Sequence, residues 1–251
     1  MMSTSKLLAN KTAFITGANR GIGKEIVEFF SLHGASIYAC ARRETEDFKE
    51  FLKNTALIYD VDIQPIYFDL TNESEIKEQL KRIVAEKPKI DILVNNAGIA
   101  HGGLLQMTSI EVMREVFEIN FFSQALITQN ISRLMMRNKN GSIINIASVA
   151  GIDPYSGYSA YGSSKAALIY FTKTLSKELA SYNIRVNAIA PGLTDTHMAV
   201  QMEDKAKEIM VSNSAMNRLA TPKEIANTAL YLASDLSSFV NGQVLRVDGG
   251  M

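Results

Sequence analysis

The chain has 251 residues, 47% of them hydrophobic, and its 26 Lys and Arg balance 26 Asp and Glu, so it is long enough for one large domain and carries no formal net charge. No basic run is longer than Arg42-Arg43, which argues against nucleic acid and anionic membrane surfaces as partners. The single Cys40 forbids an intrachain disulfide and fits a reducing compartment, and its neighbours Ile37-Tyr38-Ala39 and Ala41 suggest strand packing. Leu7-Leu8-Ala9 is too brief for a secretory core, and uncharged runs such as 120–132 contain Asn, Gln, Ser and Thr and fall short of the ~20 apolar residues of a membrane span. The cytoplasm is the expected location.

Short β-branched or apolar runs alternate with longer amphipathic ones, which predicts βα units around a parallel sheet. Strands are expected near Thr12 to Thr16, Ser36 to Ala41, Ile63 to Phe68, Ile90 to Asn95, Ser142 to Ala147, Arg185 to Ala190 and Gln243 to Val247. Helices should fill most intervals. With five Pro and no Gly/Ser-rich boundary, residues 1–251 read as one α/β domain. The least regular stretch, about 192–216, carries a Met-rich helical pattern (Met198, Met202, Met210), and reads as a mobile lid or an ordinary peripheral helix.

The first strand runs into Gly17-Ala18-Asn19-Arg20-Gly21-Ile22-Gly23, glycine-spaced so that backbone N–H groups and a helix N-terminus can approach a pyrophosphate. The second strand ends Cys40-Ala41-Arg42-Arg43, where NAD-binding folds often place an acid for the ribose. Arg42 and Arg20 suit a 2′-phosphate instead, so NADP(H) is expected over NAD(H). The alternatives are that both Arg are solvated turn residues and that Glu44 serves an NAD ribose. Asp69 and Leu70, ending the third strand, are placed for an adenine edge, and Asn95-Asn96-Ala97-Gly98 ends the fourth at the sheet edge where ligands bind.

In a helix, the spacing of Tyr161 and Lys165 stacks them on one face and favours phenolate over phenol. Nine Tyr make that spacing common by chance, so taken alone the pair reads first as a surface contact. His33, His101 and His197 are too scattered for a metal motif, and no metal is expected.

Together, Thr16-Gly17-x-x-x-Gly21-x-Gly23, Asn95-Asn96-Ala97-Gly98, Asn120, Ser148, Tyr161-x-x-x-Lys165, Pro191-Gly192 and Val247-Asp248-Gly249-Gly250 resemble the short-chain dehydrogenase/reductase family from about Lys11 to Gly250. The resemblance implies a Rossmann-type, doubly wound sheet of about seven parallel strands in order 3-2-1-4-5-6-7. It implies Tyr161 as general acid/base, Ser148 binding the substrate oxygen, Lys165 lowering the Tyr161 pKa and binding the nicotinamide ribose, and Asn120 holding a water linked to Lys165. Pro191, Gly192 and Thr194 would line the nicotinamide pocket. The chain is also similar to 3-oxoacyl-carrier-protein reductases, which implies a thioester ketone as substrate, an acyl carrier protein as partner and a homotetramer. Two departures stand out: Ala100-His101-Gly102 replaces the usual Thr-Arg-Asp, and of two basic carrier-binding positions one is Lys139 and the other Tyr182. A small, sugar-derived or steroid-like ketone therefore stays open, as does a non-catalytic NADP(H)-binding sensor or scaffold. Tyr158, seven residues before Lys165, has the spacing of the family's enoyl reductase branch, which lacks a Ser placed as Ser148 is.

Overall fold

A computed structural model describes residues 6–200 and 204–251. Seven parallel strands form one sheet in the order β3-β2-β1-β4-β5-β6-β7: β1 Thr12–Thr16, β2 Ser36–Ala41, β3 Ile63–Tyr67, β4 Ile92–Asn95, β5 Gly141–Ile146, β6 Ile184–Pro191 and β7 Val244–Val247. The expected strands match these within two residues at each end. β4 starts later than expected because the Asp91 carboxylate takes the Thr12 N–H at 3.0 Å, ahead of the ladder that pairs Ala13 with Ile92.

The strands are apolar on both faces, as a sheet covered on both sides requires. Alternate residues feed opposite layers: Ala13 and Ile15, Ile37 and Ala39, Ile92 and Val94 pack to one side, and Phe14, Tyr38, Cys40 and Leu93 to the other. The first layer is closed by α1 (Gly21–Leu32), α2 (Glu46–Tyr59) and α9 (Pro222–Ala233), through Ile26, Phe30, Phe48, Leu52, Ile225 and Ala229. The second is closed by α3 (Glu73–Ala85) and α5 (Ser123–Asn138), through Ile76, Leu80, Ile127, Ile131 and Met135. The fold is a single Rossmann-type domain.

Between the layers two amides stay polar. Asn95 and Asn145 face each other in register on β4 and β5, Asn95 Nδ2 donating to Asn145 Oδ1 at 2.8 Å and to Thr128 Oγ1 at 2.9 Å. Asn145 in turn donates to Thr172 Oγ1 at 2.8 Å.

Two further elements carry the site. α4 (Ile110–Phe117) runs through a π-helical turn, Glu118–Phe122, into α5, and α6 (Ser159–Glu178) follows the loop after β5. After β6 come α7 (His197–Val200) and α8 (Asp204–Ser212); Met202 of the Met-rich pattern lies outside the described residues. Among the described residues no helix is long and apolar enough to cross a membrane.

Candidate active site

The carboxyl ends of the strands open onto a cleft of about 500 Å³. Of the candidate catalytic and cofactor-binding residues, all line it except Gly23 and Asn120, which lie just behind its wall.

One end is the glycine loop. A Cβ on Gly23 would lie 2.1 Å from the Gly17 carbonyl oxygen and 2.4 Å from Asn96 Nδ2, so only glycine lets α1 start this close to β1. Asn96 Nδ2 donates to the carbonyls of Thr16 and Gly17 at 2.9 and 3.1 Å, and Thr16 Oγ1 accepts from the N–H groups of Asn96 and Ala97, both at 3.0 Å. The loop is thus pinned to the end of β4, leaving the α1 N-terminus as an anion-accepting surface. Arg20 caps that helix from an exposed position, and among the described residues no side-chain hydrogen bond engages it.

Past β2, Arg42 forms a fork onto Asp69, with Nε and Nη2 each 2.7 Å from Oδ2. The other oxygen, Oδ1, accepts from Thr71 N and Oγ1 at 2.9 and 2.8 Å. Burial alone would raise the Asp69 pKa, but the Thr71 and Arg42 hydrogen bonds outweigh it and hold the carboxyl below its usual range. Glu44, the acid considered for an NAD ribose, pairs with Lys49 instead and does not line the cleft.

At the other end lie Ser148, Tyr161 and Lys165. Ser148 lies just past β5 and caps the 3-10 turn Val149–Gly151, its Oγ accepting from Ala150 N at 3.2 Å. That turn presses directly on α6: a Cβ on Gly162 would sit 2.6 Å from the Ala150 carbonyl oxygen. The contact brings the Ser148 hydroxyl up to Tyr161, where it favours the phenolate. Lys165, one turn further along α6, is 4% exposed; its Nζ donates to the Ile146 carbonyl at 2.8 Å and lies 5.9 Å from the centre of the Tyr161 ring. Burial pushes its ammonium down to about 8.

The expected lowering of the Tyr161 pKa by Lys165 is not found. Tyr161 is half-buried, and burial raises its pKa above the ordinary phenol value; the Ser148 hydrogen bond works in the opposite direction but does not prevail. The reason is that Lys165 is itself desolvated and points to the Ile146 carbonyl. Tyr158 packs edge-on to Tyr161 with centroids 6.0 Å apart, and Tyr155 packs on Tyr158 at 6.5 Å.

Asn120 sits in the π-helical turn, a feature frequent at functional sites. Its amide grips both backbone groups of Ile99 at 2.9 Å and donates to Ser164 Oγ at 3.0 Å. It borders Lys165 all the same: a Cβ on Gly98 would meet Asn120 Oδ1 at 3.0 Å and Lys165 Nζ at 3.3 Å. Pro191 and Gly192 end β6, Thr194 Oγ1 donates to the Gly192 carbonyl at 3.1 Å, and Thr194 pairs with Ala220.

Several lining residues escaped the sequence reading. Thr196 lies against Gly21, and Leu193, His197 and Met210 close the cleft over the end of β6. Met210 belongs to the Met-rich pattern of 192–216, and the only sequence signal of the other three is their position just after Pro191-Gly192. Gln124, which donates to the Ala97 carbonyl at 3.0 Å, had none. Cys40 borders the cleft but is buried, with its thiol pKa pushed well up by burial.

Residues 17–251 match a family described as enoyl-(acyl carrier protein) reductase. The chain is 38% identical to 3-oxoacyl-(acyl-carrier-protein) reductase FabG of Thermotoga maritima over 244 residues, covering 97% of this chain and 98% of the relative. It is 35% identical to the FabG of Escherichia coli K12 over 243 residues, covering 96% and 97%. The chain belongs to the short-chain dehydrogenase/reductase family. Among solved structures it superposes with a TM-score of 0.91 on a protein provisionally described as an NAD(P)-dependent gluconate 5-dehydrogenase from Beutenbergia cavernae, with NADP bound at low occupancy. Identity there is 32%, with 98% of both chains covered. A provisionally described gluconate dehydrogenase from Agrobacterium tumefaciens gives the same TM-score at 29% identity, covering 98% of this chain and 97% of that one. As a short-chain dehydrogenase/reductase, the protein is an oxidoreductase acting on CH–OH/C=O groups.

Proposed function

We propose that the protein is an NADPH-dependent reductase of 3-oxoacyl thioesters, with Ser148, Tyr161, Lys165 and Asn120 as the groups that handle the carbonyl and its proton. The observation that carries this reading is that Ser148, Tyr161 and Lys165 line one end of a cleft whose far end holds the glycine loop and Arg42. Two hydroxyls held together can both donate to one carbonyl oxygen, which stabilises charge as it develops there.

The glycine loop, Asn19, Ile22, Asn96, Ala97 and Gly98 fit a dinucleotide, because the space kept by Gly23 leaves the backbone bare at the helix N-terminus. Arg42 and Arg20 favour NADP(H), with Asp69 and Leu70 at the adenine and Pro191, Gly192 and Thr194 at the nicotinamide. When bound, the nicotinamide supplies hydride to the carbonyl carbon. Tyr161, kept protonated by burial, donates its proton to the carbonyl oxygen, while Ser148 keeps that oxygen in place. Lys165 binds the ribose and, with a water held beside Asn120, returns a proton to Tyr161.

The enoyl reading would give Tyr158 the proton-donating role. Against it, the Ser148 hydroxyl acts on Tyr161, and no such influence of Ser148 bears on Tyr158. The gluconate dehydrogenase likeness favours a second reading, reduction of a sugar-derived ketone. A small or steroid-like ketone and a non-catalytic sensor are the remaining readings to be tested. We further propose a cytoplasmic homotetramer that accepts substrate from an acyl carrier protein.

The deciding experiment follows NADPH oxidation with acetoacetyl-CoA, acetoacetyl-carrier protein and 5-ketogluconate, in wild type and Tyr161→Phe. Turnover of the thioesters that Tyr161→Phe abolishes supports the proposal. Turnover of 5-ketogluconate alone replaces the substrate, and tight NADPH binding with no turnover of a broader ketone panel points to the sensor.

A further inference from the structure

The substrate end of the cleft is lined by the turn and loop after Ser148, by the segment after β6 and by Met210 of α8. From Arg246 in β7 onward the chain touches the loop after Ser148, the end of β6 and the stretch that follows α8. Arg246 Nη1 pairs with Asp153 Oδ2 at 2.8 Å, Nε with Asp248 Oδ2 at 2.7 Å, and Nη2 donates to the main-chain oxygen of Met251 at 2.8 Å. Asp248 is itself fixed, its Oδ1 accepting from Gly250 N at 3.0 Å, and it lies hard against Gly192, where a Cβ would come 2.8 Å from the Asp248 Cα. The Gly249 carbonyl accepts from Met216 N and Ser214 Oγ, both at 3.1 Å, which binds the stretch after α8 to the same tail.

The reach of Arg246 into the site runs through Asp153. The Asp153 N–H donates to the Val149 carbonyl at 2.8 Å, and Gly151 N donates to the Ser148 carbonyl at 3.0 Å, so Asp153 closes the turn that Ser148 begins. Two residues on, Tyr155 starts the row of edge-packed rings that ends at Tyr161. A guanidinium can hold two carboxylates in a fixed geometry, whereas a single exposed ion pair contributes little.

We infer that Arg246 is a positioning residue for the reduction: with Asp153 and Asp248 it locks the Ser148 turn to the Gly192 strand end, and so sets the gap in which the ketone binds. The inference rests on the proposed carbonyl reduction. Arg246 touches neither substrate nor cofactor in this arrangement, because it does not line the cleft. Its loss therefore loosens the ketone site while leaving the glycine loop, pinned independently by Thr16 and Asn96, as it was.

The test compares wild type with Arg246→Gln, Asp153→Asn, the double variant and Arg246→Lys, using NADPH and acetoacetyl-CoA as probes and following amide exchange across residues 149–158. Each single variant should raise the KM for acetoacetyl-CoA by about 3- to 10-fold, with kcat falling less and the Kd for NADPH within about twofold of wild type. The double variant should be no worse than the singles, and Arg246→Lys should recover part of the loss. Exchange at 149–158 should quicken in Arg246→Gln. Unchanged KM and exchange overturn the inference, as does a parallel loss of ketone binding, NADPH binding and thermal midpoint that adds up in the double variant. If wild type does not turn over acetoacetyl-CoA, it is the proposed substrate that fails, and the exchange measurement alone decides whether Arg246 holds the turn.

Discussion

Arg42 and Asp69 form a two-pronged contact, Nε and Nη2 both 2.7 Å from one carboxylate oxygen, at the rim of the cleft. The pairing orients a guanidinium that is otherwise solvated, leaving its remaining N–H groups for a ligand. Arg42→Ala should raise the KM for NADPH about 10- to 100-fold, as expected for losing a charge-assisted phosphate contact of about 1.5–3 kcal/mol. The KM for NADH should hardly move. Asp69→Asn should narrow the preference for NADPH by a smaller factor, because Arg42 remains but is no longer oriented. Steady-state kinetics with both cofactors checks this, and equal losses for NADH and NADPH would refute it.

Tyr161→Phe should lower kcat by about 10³-fold or more, and Ser148→Ala by about 10²–10³-fold, since one removes the proton and the other a donor to the oxygen. NADPH binding, followed by its fluorescence, should persist in both. Tyr158→Phe should retain most activity. A larger loss at Tyr158 than at Tyr161 would reassign the proton donor.

Lys165 gives a prediction with a definite sign. Its ammonium is held at about 8 against the ordinary 10.5, so between those values the unfolded chain binds a proton that the folded one does not. Burying the charge is therefore costly below pH 8, and the cost fades as pH rises toward 10.5. Lys165→Met should stabilise the ligand-free protein at pH 7 by about 1–3 kcal/mol, less than the full linkage because the bond to Ile146 is lost, while abolishing most turnover. The gain should vanish near pH 10.5. Thermal melts at both pH values check it, and destabilisation at pH 7 would contradict the buried charge.

Activity should follow the same group. Ketone reduction should stay level from pH 6 to 7.5 and decline as Lys165 loses its proton near 8, with Tyr161 still protonated there because burial raises it. A profile of kcat/KM with no inflection below pH 9 would separate Lys165 from the reaction.

Gly162→Ala sets two effects against each other. Gly162 lies in the first turn of α6, where alanine gains at most the about 0.5–1 kcal/mol of a helix interior. The new methyl would lie 2.6 Å from the Ala150 carbonyl oxygen, and overpacking of this kind costs about 1–3 kcal/mol. The clash should win, with lower stability and a displaced Ser148 turn that costs kcat more than NADPH binding. A stabilised, fully active variant would show that the turn yields.

Much of this could be read from the sequence because each strand is short, apolar and ended by a residue with a distinct job, as in Thr16-Gly17 or Asn95-Asn96. Short apolar runs leave little freedom of register, so strand ends and the residues on them were legible together. The π-helical turn at 118–122 was not, since its residues continue the helical pattern on both sides. Nor were Thr196 and His197, which reach the cleft only because Thr194 pairs with Ala220 far along the chain. The desolvation of Lys165 was hidden for a related reason: spacing shows that it is near Tyr161, but not that it is itself stripped of water.

The facing amides of Asn95 and Asn145 have a consequence for how the sheet assembles. They lie side by side in the middle of a sheet whose other central side chains are almost all hydrocarbon. Sliding β5 by one residue against β4 would turn Asn145 to the opposite face, leaving both amides buried without each other at about 1–3 kcal/mol apiece. Hydrocarbon neighbours such as Ile143 and Ile144 would tolerate the slip far better. The pair thus acts as a proofreading mark for strand alignment, penalising misregistered intermediates during folding.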